Sequence, residues 1–158
     1  MPKDDAAPAA YGDVDEAQAV LGVARAATER GGELDTILIG LERDLWVLMS
    51  ELATEPSNRE KLTPGTSLVT SEMVAALEAQ IDAISERFDP PTEFVVPGED
   101  AVAAQLDVAR TVVRRAERNA LRVAVDGSHA LAYLNRLSDL LWTLARWQEG
   151  TSRITKEQ

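Results

Sequence analysis

Arg110, Arg114, Arg115, Arg118 and Arg122 place five arginines within thirteen positions of a 158-residue chain whose net charge is −11. A guanidinium is a planar fork of donors that grips carboxylates and phosphates two bonds at a time. Such a cluster points to an anionic ligand. Nucleic acid is a poor candidate, because binding a phosphate backbone needs a basic surface and this chain is acidic. The cationic stripe is local, so its ligand is expected to be local too.

Helical geometry sorts the stripe. At 100° per residue, with Arg110 at 0°, Arg114, Arg118 and Arg122 fall at roughly 40°, 80° and 120°, and Arg115 near roughly 140°. The apolar face of Ala109, Val112, Val113, Ala116, Ala120 and Val123 is centred near roughly 260°. Arg115, Arg118 and Arg122 therefore point away from the core, as a solvated face would. Arg110 and Glu117 sit at the edge of the apolar face, near Leu106 and Leu121, where a charge needs a partner. In "YLNRLSDLLWTLAR", Asn135, Asp139, Trp142 and Arg146 form a polar stripe beside Leu134, Leu137, Leu141 and Ala145. Two such helices facing each other can wall a pocket for an anion; a solvated face is the plainer alternative.

Five segments with helical periodicity must carry these residues. The first spans about Asp13 to Arg30, with Val14, Ala17, Leu21 and Ala24 inward, and stops at Gly31-Gly32. The second spans about Leu34 to Ala53 on Leu34, Ile37, Leu41, Leu45, Leu48 and Leu52. "TEPSNREKLTPGTS" reads as a loop. The third starts at a Thr70 or Ser71 cap and buries Val74, Leu77, Ile81, Ile84 and Phe88. "DPPTEFVVPGED" is extended, since Pro90, Pro91 and Pro97 forbid a helix. The fourth runs to about Val125, Asp126-Gly127 turns the chain, and the fifth runs from a Ser128 cap to about Gln148. Short connections between long amphipathic helices predict an all-α, up-down five-helix bundle. Residues 11–150 form the bundle, with a disordered tail over 1–10 and a C-terminal tail over 151–158.

The chain has no cysteine, which excludes disulfides and thiolate metal sites. No apolar run is long enough to span a membrane, and "MPKDDAAPAA" lacks the apolar stretch of a signal peptide, so a cytoplasmic protein is expected. His129 is the only histidine, which makes a metal site unexpected. Trp46 and Trp147 read as core or interface aromatics. Trp142 is evenly placed between that role and a ligand platform. Glu33, Asp35, Glu72, Glu78 and Asp82 read as solvated faces.

Four segments occur in a telling order: "YGDVDE" (Tyr11 to Glu16), "FVVPG" (Phe94 to Gly98), "ARTVVRRAER" (Ala109 to Arg118) and "YLNRLSDLLWTLAR" (Tyr133 to Arg146). Together they resemble the PduO-type ATP:cob(I)alamin adenosyltransferases over roughly residues 11 to 147. The resemblance implies a homotrimer with active sites between subunits, binding ATP with Mg²⁺ and a corrinoid such as cobalamin. It implies transfer of the 5′-deoxyadenosyl group from ATP to Co(I), with release of triphosphate. It casts Phe94 as the aromatic that crowds the lower axial face of the corrin, and Phe94 and Arg114 as the catalytic pair. Arg114, Glu117, Arg118 and Asn135 match ATP-contacting positions. Asp139 joins Phe94 on the corrinoid side, and Arg110 pairs with Asp15 of a neighbouring subunit. Mg²⁺ is expected on the ATP phosphates rather than in a protein metal motif.

The pattern also departs from the family. A loop of the form T-x-T-G-D-x-G-x-T normally precedes the first helix and wraps the phosphates with backbone N–H groups and a lysine. Here "MPKDDAAPAA" stands in that place, with Lys3 as its sole cation. Glu99 replaces a usual glycine, Asp107 a usual histidine, and "EAQA" (Glu16 to Ala19) the usual "ELNA". Glu99, Asp100 and Asp107 thus add negative charge near an anion site. Three readings follow: an active adenosyltransferase, a non-catalytic homologue that binds corrinoid or forms trimers, or a structural bundle that binds no ligand at all.

Overall fold

The computed structural model describes residues 5–150 and 153–154. Lys3 and most of the expected C-terminal tail lie outside the described residues. Five α-helices make the bundle: α1 (Ala6–Ala26), α2 (Glu33–Ala53), α3 (Ser71–Ser85), α4 (Ala101–Ala120) and α5 (Ala130–Glu149). A 3-10 turn (Pro56–Lys61) lies in the α2–α3 connection. Two short strands, β1 (Val95–Val96) and β2 (Arg153–Ile154), pair antiparallel with Val95 opposite Ile154.

The expected tail over 1–10 is corrected by α1, which begins at Ala6 rather than near Asp13. Pro8 falls in its first turn, where the missing N–H has no intrahelical acceptor to lose. At the other end α1 closes at Ala26, short of Arg30. The C-terminal tail is likewise not wholly free, since Arg153 and Ile154 form β2. The "TEPSNREKLTPGTS" stretch, expected to be loop, contains the 3-10 turn, started by Pro56.

Ala10, Val14, Ala17, Leu21 and Ala24 of α1 are fully buried, as are Ala103, Ala109, Ala116 and Ala120 of α4. Alanines on both faces let these two backbones approach closely. The principal packing runs α2–α1–α4–α5–α3, so the two shorter connections join neighbours and the two longer ones do not. On α2, Leu38 is fully buried in place of the expected Ile37, which is only partly covered. Ile81 and Phe88 are likewise partly buried. Trp46 is 63% exposed and is not a core residue.

Polar groups fix the ends. Thr70 Oγ1 accepts from Met73 N at 3.2 Å, the expected cap of α3. Asp35, expected on a solvated face, is buried; it accepts from Gly31 N at 2.8 Å and Arg25 Nε at 2.6 Å. The Gly31 N–H, more than any other contact, holds its carboxyl below the usual value. Buried Glu51 accepts from Val69 N at 2.9 Å and Ser128 Oγ at 2.5 Å, tying the long α2–α3 connection to the α4–α5 turn. α4 stops at Ala120, five residues before the expected Val125. The valine-rich stretch after it favours helix weakly, and Gly127 (φ +84°) reverses the chain. Ser128 lies one residue before the cap position of α5, held by His129, although its Oγ still accepts from Ala130 N at 3.1 Å.

Candidate active site

The linker from α3 to α4 presents Phe94. Prolines bar helix on both sides of it, β1 is clamped by β2, and Gly98 (φ +115°) takes a backbone turn closed to side-chain-bearing residues. Asp100 Oδ2 then accepts from Ala103 N at 2.9 Å and starts α4. Phe94 is held out at 86% exposure. Burying such a ring is worth about 1.5–3 kcal/mol, so its exposure in the single chain marks a surface that a ligand or neighbour would cover. It lines a cleft of about 350 Å³ with Pro91, Arg110, Trp142 and Arg146. The cleft thus joins Phe94 to Arg110, two of the residues singled out in the sequence, and gives Trp142 a wall of its own.

From Arg110, α4 carries the stripe away at one turn per step, about 6 Å to Arg114 and about 12 Å to Arg118. Arg114, Arg118 and Arg122 are exposed and make no hydrogen bond or ion pair with the described residues. In a chain so rich in carboxylates, cations left unneutralised on one helix are available to an external anion. Glu117 and Asn135 are brought together across α4 and α5: Asn135 Nδ2 donates to Glu117 Oε2 at 3.2 Å. Asp139 pairs with Arg136 at 2.6 Å and does not line the cleft.

Arg115 is not part of a solvated face. Its Nε donates to Asp13 Oδ1 at 3.0 Å, its Nη2 meets Glu16, and Asn119 Nδ2 donates to the other oxygen of Asp13 at 2.5 Å. This clamp joins α4 to α1. Asp13, with Glu16 one turn on, was the available signal for it in the sequence.

Arg146 overturns the expectation of a solvated stripe on α5. It is 1% exposed. Its Nη2 donates to Asp107 Oδ2 at 2.5 Å, and its Nε lies 2.8 Å from Glu149 Oε1, paired by charge without hydrogen-bond alignment. Asp107 also accepts from Arg110 Nε at 3.4 Å. Asp107 is therefore the counter-charge of a buried arginine rather than a stray anion, and Asp100 is a helix cap. Arg110 thus finds a carboxylate within its own chain. Asp15 is exposed on α1, without an ion pair among the described residues.

No helix among the described residues is long and apolar enough to cross a membrane. Residues 1–148 match the family model described as cobalamin adenosyltransferase. The chain is 41% identical over 155 residues to a corrinoid adenosyltransferase of Citrobacter freundii, covering 96% of this chain and 86% of that one. A corrinoid adenosyltransferase of Mycobacterium tuberculosis is 39% identical over 166 residues, covering 96% and 84%. The corrinoid adenosyltransferase PduO of Salmonella typhimurium is 36% identical over 144 residues, and the match spans 89% of this chain but only 42% of that longer protein. Among solved structures, a variant PduO-type ATP:corrinoid adenosyltransferase from Lactobacillus reuteri, complexed with cobalamin and ATP, superposes with a TM-score of 0.86 at 25% identity, covering 99% of this chain and 87% of that one. Sequence and fold agree over nearly the whole length: the chain belongs to the cobalamin adenosyltransferase family.

Proposed function

We propose that this protein transfers the 5′-deoxyadenosyl group of ATP to the Co(I) centre of a corrinoid. Co(I) supplies the electron pair for the new bond to the 5′ carbon, the bond from that carbon to oxygen breaks, and triphosphate leaves. Arg114 and Arg118 bind the polyphosphate and stabilise the charge that grows on it as it departs. Glu117 and Asn135 hold the rest of the nucleotide, and Mg²⁺ is bound by the phosphates themselves. Phe94 presses on the lower axial face of the corrin and favours a four-coordinate cobalt, which is easier to reduce. Asp139 contacts the corrinoid at the outer side of α5. The working form is a cytoplasmic homotrimer in which Arg110 of one subunit meets Asp15 of the next.

The observation that carries this reading is the exposed Phe94 on the rim of one cleft with Arg110 and Trp142, with unneutralised arginines on the following turns of α4. The non-catalytic alternative is not favoured, because the relatives that match almost the full chain are named as the enzyme. The test is to bind cob(II)alamin in the presence of Mg-ATP and record its spectrum, then to assay adenosyl transfer to chemically reduced cobalamin. The four-coordinate signature and turnover are expected, and Phe94→Ala removes the signature while the helical content stays unchanged. Tight corrinoid binding with neither signature nor turnover would overturn the proposal in favour of storage or delivery.

A further inference from the structure

Arg146 is the largest fully buried side chain of the molecule among the described residues, and it lies against the cleft rather than in the middle of the core. A guanidinium stripped of water is retained only where carboxylates replace the lost hydration. Two do so here: Asp107, from α4, and Glu149, one turn on along α5. Their side chains are 6% and 0% exposed. The guanidinium carbon sits 5.7 Å from the centre of the Trp142 ring, within the range of cation–π attraction. Trp142 in turn lines the cleft together with the Phe94 linker. The second carboxylate oxygen of Asp107 reaches Arg110 Nε at the cleft edge. One polar chain therefore runs Trp142–Arg146–Asp107–Arg110 along the cleft, tying three of its lining residues together through a buried, charge-balanced contact.

We infer that Arg146 is a positioning residue for the corrinoid side of the site. Held by Asp107, it fixes the indole of Trp142 as a rigid wall against which the flat ligand is seated. A packing role alone would be met by an apolar side chain of similar volume, and often more stably. An arginine bound on two sides by carboxylates fixes an orientation, because its fork admits few alternative arrangements. This rests on the reading of the cleft as the corrinoid site.

Two variants test it, both made in a Trp46→Phe, Trp147→Phe background, so that emission reports Trp142 alone. Arg146→Lys keeps the charge and loses the fork. Asp107→Asn keeps the shape and loses the counter-charge. The expected result, in at least one variant that retains the helical signal, is a KM for the corrinoid raised about tenfold, a KM for ATP within twofold of the parent, and at least doubled quenching of Trp142 by acrylamide in the unliganded protein. An unchanged quenching constant would overturn the inference, as would KM values for both substrates rising together. Loss of the fold in both variants would also overturn it, by assigning the pair to the bundle alone. If the parent binds no corrinoid, the corrinoid reading fails, whereas the quenching comparison still reports whether Arg146 holds the indole.

Discussion

Arg114, Arg118 and Arg122 look alike in the sequence and differ only in how far along α4 they lie from the cleft. If Arg114 and Arg118 grip triphosphate, replacing either with alanine removes a charge-assisted contact worth about 1.5–3 kcal/mol. The affinity for Mg-ATP, read by calorimetric titration, is expected to fall on the order of tenfold to a hundredfold. Arg122→Ala, at the outer end of the stripe, is expected to change it less than twofold. Equal behaviour of all three variants would reduce the stripe to a solvated face. Phe94, in the short "FVVPG", and Glu117 and Asn135, in the two long motifs, could be singled out from the sequence, and the structure places Phe94 on a cleft and the other two in contact. Arg146 was not. Its angle on α5 puts it beside Asn135 and Asp139, and only the approach of α4, carrying Asp107, turns that flank into an interior.

At the scale of the elements, the periodicity of apolar residues located all five helices, while their ends were missed wherever a turn depended on more than local pattern. Pro8, in the stretch expected to be a disordered tail, falls in the first turn of α1, and the valines after Ala120 read as more helix until the chain turns at Gly127. The pairing between elements was less visible still. Tyr133 of α5 is fully buried and donates to Asp44 Oδ2 of α2 at 2.8 Å. Burial, and then the charge of Asp44, push its phenol well above the ordinary value of 10.0. A raised folded value means that its stabilising contribution is fully present below pH 10.0 and is lost as pH rises from there through the folded value. Burial likewise pushes the Asp44 carboxyl up, so its contribution is greatest in acid and is lost as pH rises through its folded value. Urea unfolding followed from pH 8 to 11 is expected to show stability falling above about pH 10, with Tyr133 supplying up to about 1.4 kcal/mol per pH unit of the slope. In Tyr133→Phe that part of the slope disappears, even though the variant is less stable at neutral pH. An identical alkaline slope in both proteins would show that the buried phenol does not govern it.

For the whole molecule, the single chain leaves several groups that its own fold does not use. Phe94 is 86% exposed, Trp46 63% and Val23 53%, while Asp15 lies unpaired on α1 among the described residues. Among the described residues Arg110 has only a long 3.4 Å contact to Asp107, which is already bonded more closely to Arg146, and its side chain is 27% exposed. A cation so weakly held at the edge of a cleft has capacity for a second carboxylate, and the proposed trimer supplies one in Asp15 of the next subunit. Breaking such a pair costs about 3–5 kcal/mol where the interface excludes water, and far less where it does not. Arg110→Asp and Asp15→Arg are each expected to shift sedimentation from trimer to monomer at micromolar protein. The double variant restores opposite charges at every interface of a symmetric ring, because each interface is made of one residue 15 and one residue 110. It is therefore expected to recover the trimer that both single variants lose. Single variants that remain trimeric would sink the pairing, and a parent that sediments as a monomer throughout would sink the assembly on which it depends.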